Sequence, residues 1–233
     1  MSTKKTQDKT EKKLETIDEA LTSSERFLEK NQKNILWGLL VVVIVVGAFL
    51  AYHYLYKHPR NEQAQAAIYK GERYFQNGED SLALFGNGND FKGFESVIDD
   101  YSGTKSADLA RAYAGICYSH LGNNEKALEY LKKFKGGDLL ITPSVIGAIG
   151  DVYMNLGNTD DAISQFLKAA DKANNEMLTP IYYKKAGIAY LQTQQFDKAI
   201  EIFTKIQENY LNSPESQEAE KYIQQAKFQK GDK

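Results

Sequence analysis

A glycine followed three positions later by tyrosine recurs in phase along this chain, and no other feature constrains its fold as much. Ala114-Gly115-Ile116-Cys117-Tyr118 aligns with Ile149-Gly150-Asp151-Val152-Tyr153 and with Ala186-Gly187-Ile188-Ala189-Tyr190. The glycines stand 35 and then 37 residues apart. Twelve positions after each comes an alanine (Ala127, Ala162, Ala199), and four further on a large apolar residue (Leu131, Phe166, Phe203). Turn residues separate the halves: Leu121-Gly122-Asn123-Asn124, Leu156-Gly157-Asn158 and Thr193-Gln194-Gln195. A glycine in a helix interior costs about 1 kcal/mol against alanine, so its repetition at one register position points to close helix crossing. Glycine in the first helix and alanine early in the second let the backbones approach. Tyrosine and the later Leu or Phe are expected to fill the space between neighbouring pairs. Each pair then leaves an apolar face that only the next pair covers, which makes the fold all-α and stacked.

A divergent unit precedes these. Gly71, Tyr74 and Gly78 copy its first half, while Gly93 at the alanine position and Val97 at the apolar position are displaced by about ten residues. The intervening Ser81–Asp90 reads as an extended loop inserted into the first repeat. Its Gly86-Asn87-Gly88 lacks the Lys-Ser/Thr of a phosphate loop and the spaced acids of a calcium loop. Ser213-Pro214 opens a last helix whose Ala219, Tyr222, Ile223 and Ala226 form one apolar face, with Glu215, Glu218, Glu220 and Lys221 turned largely away. Such a helix closes the open end of a stack. The expected repeats run over 62–101, 106–135, 143–173 and 180–210, with a capping helix over 214–229 inside a domain of residues 57–233.

These residues resemble the tetratricopeptide repeat family over roughly residues 62–230. The resemblance implies a helical solenoid of about four helix pairs plus the cap. It also implies a concave groove, lined by the first helix of each pair, that holds protein or peptide segments. Counted from each motif glycine, the lining positions are Ile68, Glu72 and Phe75, then Leu109, Ile116 and His120. Asp151, Met154 and Asn155 follow in the third unit, and Ile181, Lys184, Ile188 and Leu191 in the fourth. Mostly apolar with isolated charges, this set suits an amphipathic helix or an apolar peptide; several of the side chains could instead pack locally or against the capping helix. Relatives that clamp a C-terminal carboxylate need paired basic and Asn side chains here. The residue after the glycine is Glu72, Ile116, Asp151 or Ile188, and among the other clamp positions only Lys184 is basic, so such a clamp is not expected.

Upstream lies an apolar run. Ile35 to Ala51, 17 residues, carries no charged or strongly polar group, and Tyr52, His53, Tyr54, Leu55 and Tyr56 extend it. At about 1.5 Å per residue, residues 35–56 span about 33 Å, against a bilayer core of about 30 Å. Trp37 at one end and Tyr52, Tyr54 and Tyr56 at the other suit the headgroup boundary. A soluble core helix is rarely apolar on every side for so long, and no small-x-small cleavage site follows the run. One transmembrane helix is therefore expected before the solenoid. Arg26, Lys30 and Lys33 flank it on one side and Lys57, Arg60, Lys70 and Arg73 on the other, so charge gives no orientation. The order of segments favours a cytoplasmic N-terminus.

Residues 1–34 hold 8 basic and 7 acidic side chains. Met1 to Lys13 reads as disordered. Leu14, Ile17, Leu21 and Leu28, with Ala20 alongside, mark a short amphipathic helix, either lying on a membrane or partner or simply extending the span. The layout is similar to that of the single-span ancillary subunits of the bacterial Sec translocon. Stretches such as Leu21–Lys33 and Ala110–Tyr118 resemble tetratricopeptide proteins of Bacteroidetes. These resemblances imply a bacterial inner-membrane protein with an exported, periplasmic repeat domain serving secretion or chaperone traffic. An envelope or division scaffold and a cytosol-facing adaptor remain as alternatives.

Catalysis is not expected. His53 and His58 lie at the membrane boundary and His120 ends a repeat helix, and no Gly-x-Ser-x-Gly, His-Glu-x-x-His or Cys-x-x-Cys occurs. Cys117, the single cysteine, reads as a buried packing thiol. Asp99-Asp100 and Asp160-Asp161 fall at helix ends, the latter pair favouring the dipole of the helix it opens. A net charge of −2 offers no basic excess for nucleic acid. No cofactor, metal or small-molecule substrate is implied.

Overall fold

A computed structural model describes residues 30–231 and divides the chain into two compact units, Met1–Pro59 and Arg60–Lys233. The expected tail helix and the segment Met1–Lys13 lie outside the described residues. Among those described, every regular element is helical.

In the first unit, residues 30–51 form an α-helix (α1), followed by a π-helical stretch Tyr52–Lys57. The π geometry is visible where the N–H of His58 donates to the carbonyl of His53. Within it the rings of Tyr52 and Tyr56 stack at 5.5 Å between centroids. Helix Lys30–Gln76 is long and apolar enough to cross a membrane, and none of its most apolar window is buried. A core helix of a soluble protein would bury such a window.

The second unit contains α2 (His58–Gln76, from Arg60 onward), α3 (Asp80–Phe85), α4 (Phe94–Asp100), α5 (Lys105–His120) and α6 (Asn124–Lys132). It continues with α7 (Ile141–Asn155), α8 (Thr159–Ala173), α9 (Thr179–Gln192), α10 (Phe196–Asn209) and α11 (Pro214–Lys230). Side-chain caps mark several starts: Thr104 Oγ1 accepts from the N–H of Ala107 at 3.1 Å, Asn123 Oδ1 from Lys126 at 3.2 Å and Ser213 Oγ from Ser216 at 3.1 Å. Each occupies one of the four N–H groups that a helix start leaves unpaired. Pro214 at the first position of α11 loses no hydrogen bond there. The turns inside the pairs need a left-handed residue, supplied by Gly122 (φ 79°) and Gly157 (φ 76°). In the last pair Gln194 takes the same role at φ 58°, against the steric preference of a side chain.

The motif glycines are contact points. A Cβ on Gly115 would lie 2.5 Å from Leu131 Cγ, on Gly150 2.6 Å from Phe166 Cε1 and on Gly187 2.6 Å from Phe203 Cζ. The large residue sixteen positions on therefore closes its own pair by lying on the glycine, a contact missing from the expectation that it only fills space between pairs. Its other side meets the next helix: the Phe203 ring stacks on Tyr222 of α11 at 4.8 Å. Phe166 and Phe203 are almost wholly buried, each contributing roughly 1.5–3 kcal/mol of transfer free energy. In α11, Ala219, Ile223 and Ala226 are buried, while Glu218, Glu220 and Lys221 are exposed.

The first pair departs from the expected plan in two ways. Half of the stretch expected to be an extended loop is helix α3, with Ala83 and Leu84 fully buried. The side chains over Gly71 are Phe94 and Phe91, not Val97, which is buried elsewhere in the same cluster. The reason lies in the neck of the insertion. A Cβ at Gly86 would meet the backbone of Phe91 at 2.2 Å, and one at Gly93 that of Leu84 at 2.1 Å. The two strands of the loop touch through glycine and turn Phe91 and Phe94 inward.

Candidate partner groove

The expected groove positions lie on the first helices of successive pairs: α2, α5, α7 and α9. Two of them are core. Ile68 is 4% exposed and Leu191 9%, each inside a hydrophobic cluster, so neither side chain faces a partner. Periodicity placed them on the correct helices, but the neighbouring elements cover them.

The polar positions mostly bridge helices. His120 Nδ1 stands 3.1 Å from Asp80 Oδ2, tying α5 to α3, and its ring stacks at 6.2 Å on Phe75. The amide of Asn155 donates to Ser119 Oγ at 3.3 Å, from α7 to α5. Lys185 Nζ donates to both oxygens of Asp151 at 2.7 and 2.6 Å, from α9 to α7. Lys184 meets Glu218 at 2.9 Å, from α9 to α11. That contact raises the affinity of Lys184 for its proton and lowers that of Glu218. The bridges thus step along the stack from one helix pair to the next, and pairs as exposed as these add little to stability. Sequence reasoning missed Lys185. The signal was available: it stands two positions before its own glycine, opposite Asp151, which stands one after the preceding one.

Between the bridges stand half-buried apolar groups. Phase-aligned Leu109 and Ile116 pack at the margin of the cluster built around α4, α5 and α7, and Met154 at the margin of the one joining α8 and α9. Ile188 borders the cluster under α11, and Ile181 is half-buried. Phe75 rests on Tyr113 at 4.9 Å between centroids. Burial, and then the adjacent Glu72 carboxylate, push the Tyr113 phenol up to about 12. A surface of this kind can receive apolar side chains from a peptide while its polar groups stay paired.

A second network stabilises the upstream end. Both Tyr118 and Tyr130 (2.8 Å for the latter) donate their hydroxyls to one oxygen of Glu95, and their rings stack at 5.4 Å. Burial, followed by the Glu95 contact, raises both phenols. Cys117 is fully buried, and burial with the nearby Asp80 carboxylate pushes its thiol far up, the opposite of a nucleophile's environment. Among the described residues no group of three or more His, Cys, Asp or Glu is placed to hold a metal ion.

Residues 148–214 match the tetratricopeptide repeat family. The fold is a tetratricopeptide-type solenoid. The crystal structure of nearly identical TPR-like repeats of kinesin light chain type from Podosopora anserina superposes with a TM-score of 0.59 at 15% identity, over 75% of this chain and 89% of that one. A single-substitution variant of that same protein gives 0.58 at 15% identity, over 75% and 88%. No curated protein sequence matches this chain.

Proposed function

We propose that this chain is a membrane-anchored tetratricopeptide module of the bacterial inner membrane. Its N-terminus lies in the cytoplasm and its repeats in the periplasm, where they hold a protein segment during secretion or chaperone traffic at the Sec translocon. The observation that carries the reading is the row of half-buried apolar side chains, Phe75, Ile116, Met154, Ile181 and Ile188, set between inter-helix polar bridges. An amphipathic helix or apolar peptide fits such a row. The apolar window of Lys30–Gln76, unburied along its length, supports the anchor. The order of charged segment, apolar helix and repeats supports the place beside the translocon.

Protease treatment of intact spheroplasts, read with an antibody to the C-terminus, tests the orientation. Digestion from outside is the expected result; protection until the membrane is broken would make the chain a cytosol-facing adaptor. A photo-crosslinking amino acid at Ile116 or Met154 tests the groove. Adducts with translocon subunits, chaperones or secreted chains are expected, and adducts confined to envelope or division proteins would replace the secretion role with a scaffold.

A further inference from the structure

The turns that join one repeat to the next leave apolar side chains uncovered along one edge of the solenoid. Leu139 precedes α7 and is 76% exposed, Met177 precedes α9 at 69%, and Leu211 precedes α11 at 73%. They line neighbouring spaces. The turn before α7, the end of α8 and the turn after it border an open cleft of about 1080 Å³, and one of about 470 Å³ follows between the turns before α9 and α11. Glu176 and Met177 belong to both, so the clefts form one strip. Nothing in the repeat packing requires large apolar groups here, since none of the three belongs to a core cluster.

The strip is acidic. Its carboxylates are Asp138, Asp171, Glu176 and Glu215, against Lys172 as the only cation lining either cleft, a net −3 where the entire chain carries −2. Asp138 accepts the N–H groups of Leu140 and Ile141 at 2.7 and 3.0 Å and so caps α7. Asp171 and Glu176 line the clefts, are exposed, and make no hydrogen bond or ion pair among the described residues. An anionic lipid surface would be repelled by such a rim. A segment whose apolar side chains alternate with Lys or Arg would satisfy both properties at once.

We propose that this edge docks a basic amphipathic peptide segment of another protein. Leu139, Met177 and Leu211 take its apolar side chains, and Asp171 and Glu176 take its cations. The site is separate from the groove described above, sharing only Ile181, and stands whether or not that groove binds a partner.

The test uses the full chain in phosphatidylcholine nanodiscs and fluorescence anisotropy of a labelled amphipathic Lys/Leu peptide, with empty nanodiscs subtracted. A Glu/Leu peptide of equal length is the control. The Lys/Leu peptide is expected to bind, more weakly as salt rises. Its affinity falls by about tenfold or more both in L139S/M177S/L211S and in D171N/E176Q, while the Glu/Leu peptide binds at least that much more weakly. All five side chains are exposed, so the variants keep the parent's melting temperature. Equal binding of the two peptides, or unchanged affinity in either variant, overturns the proposal. So does binding to phosphatidylglycerol vesicles that the variants abolish while peptide affinity stays the same.

Discussion

Gly187→Ala sets two effects of known size against each other. On helix propensity alone the change stabilises α9 by about 1 kcal/mol. The tertiary structure opposes it. The new Cβ would stand 2.6 and 2.7 Å from Cζ and Cε2 of Phe203, where ordinary contact begins at 3.4 Å, so the ring must retreat by most of an ångström. It has little room to move: Phe203 is 0% exposed and its ring stacks on Tyr222 at 4.8 Å, 11° from parallel. Overpacking of this kind costs about 1–3 kcal/mol, leaving a net loss of about 0–2 kcal/mol. For a chain of this size about 1 kcal/mol lowers Tm by about 2–4 °C. The decisive quantity is the coupling to Phe203. In a Phe203→Leu background the ring is gone, and Gly187→Ala should stabilise by up to about 1 kcal/mol, giving an interaction energy of about 1–3 kcal/mol. Urea titrations of the full chain in detergent, followed by far-UV circular dichroism, give the four midpoints. A Gly187→Ala chain about 1 kcal/mol more stable than its parent, or a coupling within about 0.5 kcal/mol of zero, would show that ring packing is not what keeps glycine at this position.

Glu95→Ala strips the shared acceptor from the Tyr118 and Tyr130 hydroxyls and should cost about 1–3 kcal/mol, with Glu95→Gln costing less because a carbonyl oxygen remains; equal losses in thermal melts would show that the acceptor is unimportant. Gln194→Gly relieves the left-handed φ of 58° at the turn where the other pairs use glycine, and should raise stability by up to about 1 kcal/mol; a lowered urea midpoint would contradict this. Tyr113, Tyr118 and Tyr130 all hold their phenol protons more tightly folded than at the ordinary value of 10.0, Tyr113 up to about 12. The contribution of Tyr113 is therefore complete below pH 10.0 and is lost as pH rises through about 12, with Tyr118 and Tyr130 acting in the same direction, so the urea midpoint should fall as pH rises above 10.0, with late-titrating phenolate absorbance at 295 nm. One native phenolate transition at the ordinary value would exclude it. Cys117, buried and with its thiol pushed up, should resist a disulfide reagent at pH 8 until urea unfolds the chain; immediate labelling would show an open helix.

How much of this was legible beforehand follows from the range over which each interaction acts. The glycine–tyrosine–alanine register was readable because the last three pairs repeat the same local solution. In those pairs the Leu or Phe that meets the glycine stands sixteen residues on, as with Phe203 over Gly187. The first pair broke that rule through its insertion. With the register shifted, Val97 stood at the apolar position of the motif, and the closure of the loop through Gly86 and Gly93 brings Phe94 and Phe91 over Gly71 instead.

For the candidate groove, spacing chose the helices correctly and could not rank the side chains on them. Whether Ile68, Leu191 or Ile116 is covered depends on neighbouring helices packed from other repeats. Asp151, Lys184, His120 and Asn155 read as isolated polar groups because their partners Lys185, Glu218, Asp80 and Ser119 lie 34 to 40 positions away. The chain by itself determined what a period can encode: helices, their pairing and turns, the need to stack, and an apolar run with length enough to cross a bilayer. The tertiary structure alone decided which groups are core, which polar groups bridge, and that the inter-repeat turns bring Leu139, Met177 and Leu211 to one acidic edge. Such juxtapositions are set by the packing of whole repeats, and no local pattern carries them.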